Sequence, residues 1–487
     1  MPSLLQSCKN QPVYNKKTAK ELARKLRLQL LKLQLQITKK DKPVVIVIAG
    51  DDRAGRHETI NTLMEWMDPR FIQVNAYAPA DKLDEQRPFF WRYWRDMPAA
   101  GHIGIYMREW TSTSVVQYLN KDISEKKLNK RLKYIRQFEK SLYDDGALVI
   151  KIWLHLSKDA HKERLKQLRD TRFFDPKDEL ALKNFNDAVE TIDHVLSATH
   201  SEATPWHVIS GEAPSTRNIH AGQTILQAMQ DWLARPRQET IAAEPEPPAM
   251  PNILDQIDLT PGIRKKDYKD ELKRCRGQLR EQMEKAHQHG KAVVCVFEGV
   301  DAAGKGGAIR RLASAIDAGM YRIVPIAKPT EEEYSHHYLW RFWRHIPANG
   351  QMTIFDRSWY GRVLVERVEK LATTEQWQRA YDEINDFEEQ LCLHGIIVIK
   401  FWLHIDQHEQ LERFKAREII PHKMHKITAE DYRNREKWPQ YREAIHDMLK
   451  KTDTKKAPWN IIAAQDKKYA RIEVINTITK AIKTALK

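Results

Sequence analysis

The chain has 487 residues, of which 41% are hydrophobic and 30% are charged, and its formal net charge is +15. This length exceeds one ordinary domain and allows two or three. No stretch approaches the roughly 20 apolar residues of a membrane helix, and the N-terminus lacks the charged start and apolar run of a secretory signal. The positive charge suits any polyanionic partner, whether nucleic acid, polyphosphate or an anionic membrane, and equally suits a well-solvated surface.

The four cysteines are scattered along the chain without a CxxC pair: Cys8, Cys275, Cys295 and Cys392. This usage argues against a disulfide framework and against a structural zinc site. We therefore expect a protein of the reducing cytoplasm.

A long internal repeat dominates the sequence. The segment WRYWRDMPAAGHIGIYMREW, from Trp91, matches WRFWRHIPANGQMTIFDRSW, from Trp340, at ten of twenty positions. The offset of 249 positions holds without a gap from Gly50 to His155, and it becomes 253 from Pro205 onwards. A period of this length indicates a duplicated domain and not a solenoid.

A linker separates the two copies. Residues 236–262 are rich in proline and acidic residues and have weak periodicity, which is typical of a linker. The sequence therefore predicts one domain at 1–235 and a second at 263–487.

The same order of elements is predicted in each copy. A charged helical stretch comes first, at 16–39 and at 265–289, and apolar runs of strand length then alternate with helices. In the second copy the apolar runs start at Ala292, Ile323, Met352 and Ile396, and LWRFWRHIP between the second and third runs is expected to be helical. Continuous apolar strands alternating with helices predict an α/β domain with a parallel sheet covered on both faces. Ligands of such sheets bind at the carboxyl ends of the strands.

A glycine-rich loop follows the first strand of the second copy. Its sequence, GVDAAGKGG at 299–307, matches GxxxxGK but lacks the Ser or Thr that normally follows the lysine and binds Mg²⁺. Backbone N–H groups of such a loop, the start of the next helix and Lys305 can all face phosphate. Because the hydroxyl is missing, another oxygen must hold the metal, and Asp301 in the loop is placed to help. The alternative interpretation of the whole loop is a Gly-rich turn that arose by chance. The predicted phosphate contacts in the loop are Gly299, Ala303, Gly304, Gly306 and Gly307.

The third strand of the second copy ends in an acidic residue, Asp356, as in the Walker B pattern that holds Mg²⁺. The alternative role of this aspartate is a helix cap. Arg357 and Arg362 follow, and arginines there can bind phosphate oxygens. After the fourth strand, LERFKAREIIPHKMHKITAEDYRNREKW is rich in basic residues and predicts a helical lid. We expect Arg417 to touch the transferred group, whereas any other single basic residue there more simply belongs to a solvated helix face.

Five ordered motifs in the second copy, GVDAAGKGG, KPTEEE, LWRFWRHIP, IFDRSWYGRVLVERV and APW, together resemble the polyphosphate kinase 2 family, in its two-domain form. The resemblance implies two tandem P-loop domains of thymidylate-kinase-like fold, Mg²⁺ or Mn²⁺, and transfer of a phosphoryl group from polyphosphate to AMP. It implies that Asp301 and Lys305 belong to the Walker A loop, that Asp356 and Arg357 form the Walker B pair, and that Arg417 is the lid arginine.

The resemblance also gives the positive charge a purpose, since a polyphosphate chain needs a basic groove. Candidate groove residues are Lys328, Arg341, Arg344 and the lysines of the predicted lid. The aromatic residues Trp340, Phe342 and Trp343 could stack on the base, but helical spacing favours packing. We expect neither nucleic acid nor membrane as partner, and a homo-oligomer or pairing of the two copies within the chain is compatible with the sequence.

The first copy has lost key residues. Arg56 replaces Lys305, Met107 replaces Asp356 and Leu168 replaces Arg417, although Asp52 and Arg108 match Asp301 and Arg357. A guanidinium is not equivalent to an ammonium, and methionine does not bind Mg²⁺ as a carboxylate does. The first copy is therefore expected to be inactive in transfer.

Two other classes of function remain open from the residues alone. An ATP-using nucleic-acid enzyme would share the loop and the charge, but the missing loop hydroxyl argues against it. A non-catalytic polyphosphate-binding module would have no need of Asp356.

Overall fold

The computed structural model describes residues 3–51, 53–168, 182–235, 252–419 and 429–487. The contacts divide the chain into two compact units. The first comprises Met1–Asp81, Arg92–Arg237 and Thr330–Trp340, and the second comprises Lys82–Trp91, Gln238–Pro329 and Arg341–Lys487. Each unit therefore includes one short segment from the other half of the sequence. Asp52 and residues 420–428 of the predicted lid lie outside the described residues.

Each unit contains one five-stranded parallel sheet. The first sheet has the order β2-β3-β1-β4-β5 and the second β7-β8-β6-β9-β10, so the two orders are the same. Register pairs such as Ile46 with Ile105, and Cys295 with Ile354, show that the neighbours run parallel. The strands are β1 Val44–Gly50, β2 Ile72–Ala76, β3 Ile103–Met107, β4 Leu148–His155, β5 Trp206–Ser210, β6 Val293–Gly299, β7 Tyr321–Pro325, β8 Met352–Asp356, β9 Ile397–His404 and β10 Trp459–Ala463.

Helices cover the sheets. In the first half they are α1 Lys16–Ile37, α2 Arg56–Trp66, α3 Lys82–Glu85, α4 Trp91–Arg95, α5 Trp110–Leu119, α6 Glu125–Asp144, α7 Lys158–Leu168, α8 Phe185–Thr199 and α9 Pro214–Ala234. In the second half they are α10 Lys265–Gln288, α11 Lys305–Ala313, α12 Glu331–Tyr334, α13 Trp340–Trp343, α14 Val365–Val368, α15 Thr374–His394, α16 Gln407–Ile419, α17 Ala429–Glu436, α18 Trp438–Thr452 and α19 Lys467–Ala485. In the part of the chain that the structure describes, no helix is long and apolar enough to cross a bilayer. All four cysteines are free thiols.

The predicted α/β fold with two parallel sheets is confirmed, with three differences of detail. The aromatic-basic segment forms only the single turn α13, because the approach to Pro347 disfavours further helix. Strand β7 begins at Tyr321, two residues earlier than predicted, since this edge strand is largely exposed and its apolar pattern is weak. The short strands β5 and β10 were not predicted.

The buried central strands, β1 and β6, determine where the glycine-rich loops lie. All seven residues of β1 are buried, and six of seven in β6, as expected for strands covered on both faces. In each sheet the chain moves from the first strand to one side and later crosses to the other, so the order reverses beside β1 and β6. Clefts at the carboxyl end of such a reversal bind ligands in doubly wound sheets. The glycine-rich loop 299–307 follows β6 at this point.

A fully buried ion pair joins the same elements in both units. Lys400 on β9 donates to Glu388 on α15 at 2.8 Å and to the Thr452 carbonyl at 2.7 Å, and both charged side chains are at most 1% exposed. In the first unit Lys151 donates to Glu139 at 2.6 Å with the same burial. Loss of either residue would leave the other charge buried without a counter-charge, so the pair favours one placement of the helix on the strand.

Glu388 extends this network toward the loop after β8. It accepts hydrogen bonds from Trp359 Nε1 at 3.0 Å and from the Tyr360 hydroxyl at 2.6 Å. Trp110 donates to Glu139 in the same way at 2.9 Å in the first unit. The pair therefore also positions the residues that follow the third strand of each sheet.

We predict that Lys400→Met destabilises the protein by about 3–5 kcal/mol, because it leaves the Glu388 carboxylate buried and unpaired. Lys400→Met combined with Glu388→Gln should cost less, since no lone charge remains. The measurement is urea-induced unfolding. The control is Lys285→Met, which removes an exposed pair with Glu281 and should change stability by less than about 1 kcal/mol. Near wild-type stability of Lys400→Met would contradict this.

Candidate active site

The glycine-rich loop has the backbone of a phosphate cradle. Gly299 and Gly304 have φ values of +151° and +112°, and Ala302 is in the left-handed region at +63°. A β-carbon at Gly299 would lie 2.5 Å from the Leu403 carbonyl oxygen, so this position requires glycine. The loop ends at the N-terminus of α11, where free backbone N–H groups and the helix dipole favour an anion.

A buried arginine on α16 holds the loop by hydrogen bonds to its carbonyls; we call this contact the arginine clamp. Arg413 on α16 is 5% exposed and donates to the carbonyls of Ala302 and Ala303 at 2.9 and 3.0 Å. Its other nitrogen donates to the carbonyls of Ala464 and Gln465. The sequence analysis expected basic residues of this segment other than Arg417 to lie on a solvated helix face, and for Arg413 this is wrong. Its guanidinium provides hydrogen bonds to buried loop carbonyls that would otherwise have none.

Lys305 and Asp301 lie together at the mouth of the loop. Lys305 Nζ donates to the Gly299 carbonyl at 2.6 Å, and Asp301 accepts from Arg357 at 3.2 Å and from Asn434 at 3.0 Å. Burial lowers the pKa of Lys305, and the nearby Asp301 carboxylate opposes that effect. Burial would raise the pKa of Asp301, but the charges of Lys305 and Arg357 outweigh it, so that this pKa lies below its usual range.

Glu298 lies near Lys305 together with Asp301 and Asp356, and the sequence analysis did not single it out. It is 5% exposed and accepts a 2.8 Å hydrogen bond from Ser358, which ties the end of β6 to the loop after β8. Burial raises the pKa of Glu298, opposed first by the charge of Lys305. The sequence does contain a signal for this residue: Glu298 is an acidic residue at the end of an apolar strand, directly before the first glycine of the loop.

A basic cavity of about 820 Å³ lies over the loop. It is open to solvent, and the loop, β7, α11, α16 and α19 all contribute to its wall. Among the described residues, eight basic side chains line it, against the two acidic side chains Asp301 and Asp356. The eight are Lys305, Arg310, Arg311, Arg357, Arg413, Arg417, Lys467 and Arg471. This charge balance suits a polyanion with several phosphate groups.

A second, smaller cavity of about 100 Å³ lies beside the first. Aromatic and aliphatic side chains make up half of its lining residues, and Glu298, Asp301, Arg357, Gln410 and Asn434 are its charged and polar groups. The aromatic and aliphatic members are Val300, Leu364, Val365, Trp402, Trp438, Tyr441 and Ile445. The two cavities share Asp301, Arg357 and Asn434. A lining of apolar side chains with a few polar groups is typical of a small-molecule site, whereas the volume is below the roughly 300–1,000 Å³ of such sites.

The structure brings most of the predicted site residues to these two cavities. They are Gly299, Asp301, Ala303, Gly304, Lys305, Gly306, Gly307, Asp356, Arg357 and Arg417. Lys328 is exposed on the loop after β7, and Arg362 pairs with Glu366 at 2.9 Å; neither lines the two cavities described above. A phosphate-binding role for these two residues stays a prediction.

The predicted groove residues outside the loop lie elsewhere. Arg341 donates to the Ala327 carbonyl, and Arg344 is exposed. Phe342 and Trp343 are 4% and 1% exposed, and they pack edge-on against Trp359 and Phe387 respectively. The preference for packing over base stacking is therefore confirmed for this pair, and Trp340 is buried as well.

Comparison with known proteins identifies the family. The family model described as polyphosphate kinase 2 matches residues 13–236 and again 262–487. The chain belongs to the polyphosphate kinase 2 family. A polyphosphate:AMP phosphotransferase of Pseudomonas syringae pv. tomato is 45% identical over 94% of each chain, and one of Pseudomonas aeruginosa is 44% identical over 97% of each. A crystal structure of a polyphosphate kinase 2 from Pseudomonas aeruginosa PA01 matches with a TM-score of 0.89 and 42% identity over 98% of each chain.

The two polyphosphate kinase 2 copies differ in the cavity cations. Arg310, Arg311, Lys467 and Arg471 were not singled out from the sequence, yet all four line the basic cavity. By the repeat offsets, their counterparts in the first copy are Asn61, Thr62, Pro214 and Asn218, all uncharged. The repeat itself thus carried a signal, because basic residues confined to one copy mark its specific function.

We predict that Arg471→Asn, which installs the residue of the first copy, weakens binding of inorganic tripolyphosphate roughly tenfold at low salt. It should also make the binding less dependent on salt, since one cation–phosphate contact is lost. Isothermal titration calorimetry at several salt concentrations measures both. Lys480→Asn, an exposed cation on the same helix outside the cavity, is the control and should change neither. Equal effects of the two variants would contradict a specific role for Arg471.

Proposed function

We propose that the chain transfers the terminal phosphoryl group of inorganic polyphosphate to AMP, giving ADP and a polyphosphate shorter by one unit. The observation that carries the proposal is the pairing of two unlike cavities in the second unit. One is basic and suits a polyanion, the other is compact and largely apolar, and they meet at Asp301 and Arg357. The named activity of the two Pseudomonas relatives supports the same reaction.

The basic cavity takes the donor. Its volume of about 820 Å³ exceeds the space for a single phosphate, and its cations continue beyond the loop onto α11 and α19. Arg310 and Arg311 lie on the first of these helices, and Lys467 and Arg471 on the second. A row of cations beyond the reacting phosphate is what a polyphosphate chain needs, because each further unit brings another negative charge.

The compact pocket takes the nucleoside of AMP. Trp402, Trp438 and Tyr441 supply aromatic surface for the base, and Gln410 and Asn434 supply hydrogen-bonding groups. The α-phosphate would then face Arg357, where the pocket joins the basic cavity. The acceptor oxygen and the terminal phosphorus of the donor are thereby brought to the same point.

The carboxylates of Asp301 and Asp356 are suited to hold a divalent cation, and we assign them Mg²⁺, with Mn²⁺ as the alternative. Carboxylate oxygens are the ligands that Mg²⁺ prefers, and it usually binds one or two of them while keeping waters and phosphate oxygens. Both carboxylates line the basic cavity near Lys305, so they lie where a cation would meet the phosphate oxygens. When bound, the ion would neutralise charge on the phosphate oxygens.

In the transfer step, an oxygen of the AMP phosphate forms a bond to the terminal phosphorus while the bond from that phosphorus to the bridging oxygen breaks. The shortened polyphosphate leaves with the electron pair of that bond. Lys305 and Arg357 stabilise the charge on the transferred group, and Arg417 does so from α16. No covalent intermediate with the protein is required, so positioning and electrostatics supply the catalysis.

The first unit is assigned a structural role without transfer activity. Its equivalent of Asp356 is Met107, which is 2% exposed and is buried in the core. Its equivalent of Glu298 is Ala49. Neither position can supply a carboxylate to a metal or a phosphate, and the side chain of Leu168, the counterpart of Arg417, lies outside the described residues.

We predict that purified protein with Mg²⁺ and AMP forms ADP from polyphosphate and not from ATP. Lys305→Ala should lower kcat roughly 10²–10³-fold, as does loss of one group that stabilises transition-state charge. Arg56→Ala, at the matching position of the first copy, should leave the rate within twofold. ADP formed from ATP alone, or equal losses in the two variants, would contradict the proposal.

The lowered pKa of Lys305 predicts a pH effect. Its cationic form is lost as pH rises through a pKa below the ordinary lysine value of about 10.4, so kcat/KM should fall at high pH earlier than for an unperturbed lysine. Lys305→Arg keeps its charge and should move this decline to higher pH, at roughly 10²-fold lower rate because the guanidinium is misplaced. Rate profiles over pH measure both. An unchanged decline in Lys305→Arg would exclude Lys305 as its source.

A further inference from the structure

The first copy keeps the backbone of the phosphate cradle. Four residues of its loops have positive φ values, and their counterparts in the second copy have nearly the same values. Gly50, Arg53, Gly55 and Arg108 are at +147°, +65°, +94° and +54°, against +151°, +63°, +112° and +64° for Gly299, Ala302, Gly304 and Arg357. The clamp is also kept, because Arg164, the counterpart of Arg413, donates to the carbonyls of Arg53 and Gly211. Loss of the cradle backbone therefore does not account for the difference between the copies.

The space over the first cradle is filled by a side chain. Arg217, near the start of α9, is 2% exposed and lies directly against Gly55. A β-carbon built on Gly55 would lie 1.6 Å from Arg217 Nη1 and 2.9 Å from Nη2. The guanidinium thus occupies the volume next to the glycine that precedes α2.

The same space is open in the second copy. The counterpart of Arg217 is Ala470, and the counterpart of Gly55 is Gly304. Both line the basic cavity, and a β-carbon on Gly304 would meet no other atom of the described residues within 4 Å. One substitution, alanine against arginine on the last helix, therefore separates an open cradle from a filled one.

Hydrogen bonds hold Arg217 in place. Its Nη1 donates to the Ala54 carbonyl and its Nε to Asn218 Oδ1, each at 3.0 Å. Nη2 is buried without a hydrogen-bond partner among the described residues, so the fit is tight but incomplete. Ala54 belongs to the cradle itself, and the guanidinium is thus fixed to the loop that it covers.

We infer that the first copy is a phosphate cradle closed by its own chain, in which Arg217 occupies the volume that donor phosphates take in the second copy. Each chain then binds the phosphates of one polyphosphate end, at the second copy alone. The choice of polyphosphate as ligand rests on the proposed function, whereas the closure rests on the geometry of Arg217 and Gly55. Alanine at 217 should reopen the cradle, because the second copy has alanine at that position.

The first test is the binding stoichiometry of inorganic tripolyphosphate to the full chain by isothermal titration calorimetry. Wild-type protein should bind one per chain, and Arg217→Ala should bind two, the second more weakly because the first copy lacks the four neighbouring cations. ADP formation should stay unchanged in Arg217→Ala. Two sites in the wild type would overturn the closure, and a single site in folded Arg217→Ala would overturn the role of Arg217.

The reciprocal variant tests the inference even if Arg217→Ala fails to fold. Ala470→Arg places the same side chain over Gly304 and should lower both tripolyphosphate affinity and ADP formation roughly 100-fold. Ala485→Arg, the same change at an exposed position of the same helix outside the cavity, is the matched control and should stay within threefold of the wild type. An active Ala470→Arg variant would overturn the inference. The binding stoichiometry is measured with tripolyphosphate alone. It therefore still tests the closure of the first cradle if the protein does not transfer phosphate to AMP.

Discussion

The buried pair of Lys400 and Glu388 is the constraint on which the second copy depends. It joins β9, α15 and the carbonyl that ends α18, and through Trp359 and Tyr360 it reaches the residues that follow Arg357. Because both charges are almost fully buried, separating them would leave each without a counter-charge, and this favours one position of the helix on the sheet. The loop that carries Arg357 is thus held by contacts within the core. The Arg357 side chain itself is half-exposed and can contact a bound substrate.

The two copies show that this scaffold and the chemistry of the site are separable. The ion pair, the buried tryptophan beside it, the arginine clamp and the positive φ values all recur in the first copy. What differs is a small set of side chains at the ends of the strands and on two helices. A carboxylate has become Met107, cavity cations have become neutral, and Arg217 covers the loop. Packing constrains the shared scaffold features, whereas the side chains that differ lie where a ligand would bind. If the first copy is inactive, as proposed, it can differ at these side chains and still keep the scaffold.

The sequence predicted the duplication, four strands of each sheet, the first helix of each copy and the cradle loop, because these features are local in the chain. Strong apolar runs such as that of β6 are buried on both faces and are recognisable alone. The features it missed depend on distant contacts. Arg471 reaches the loop from a helix more than 160 residues away, and Arg413 resembles any surface cation until its four carbonyl partners are seen. The edge strand β10 is half-buried and short, so its pattern carries little signal.

The resting contacts of the site indicate how substrate charge is accommodated. Lys305 donates to the Gly299 carbonyl, and Arg357 pairs with Asp301, so both cations at the mouth of the loop have partners within the protein. The Arg357 side chain is half-exposed, whereas that of Asp301 is 17% exposed, so the carboxylate would lose more than the guanidinium if the pair separated. A polyanion entering the basic cavity would compete with Asp301 for Arg357, while Asn434 keeps its hydrogen bond to that carboxylate. In the proposed reaction, donor binding would therefore also change the contacts of Asp301, which is assigned to the divalent cation.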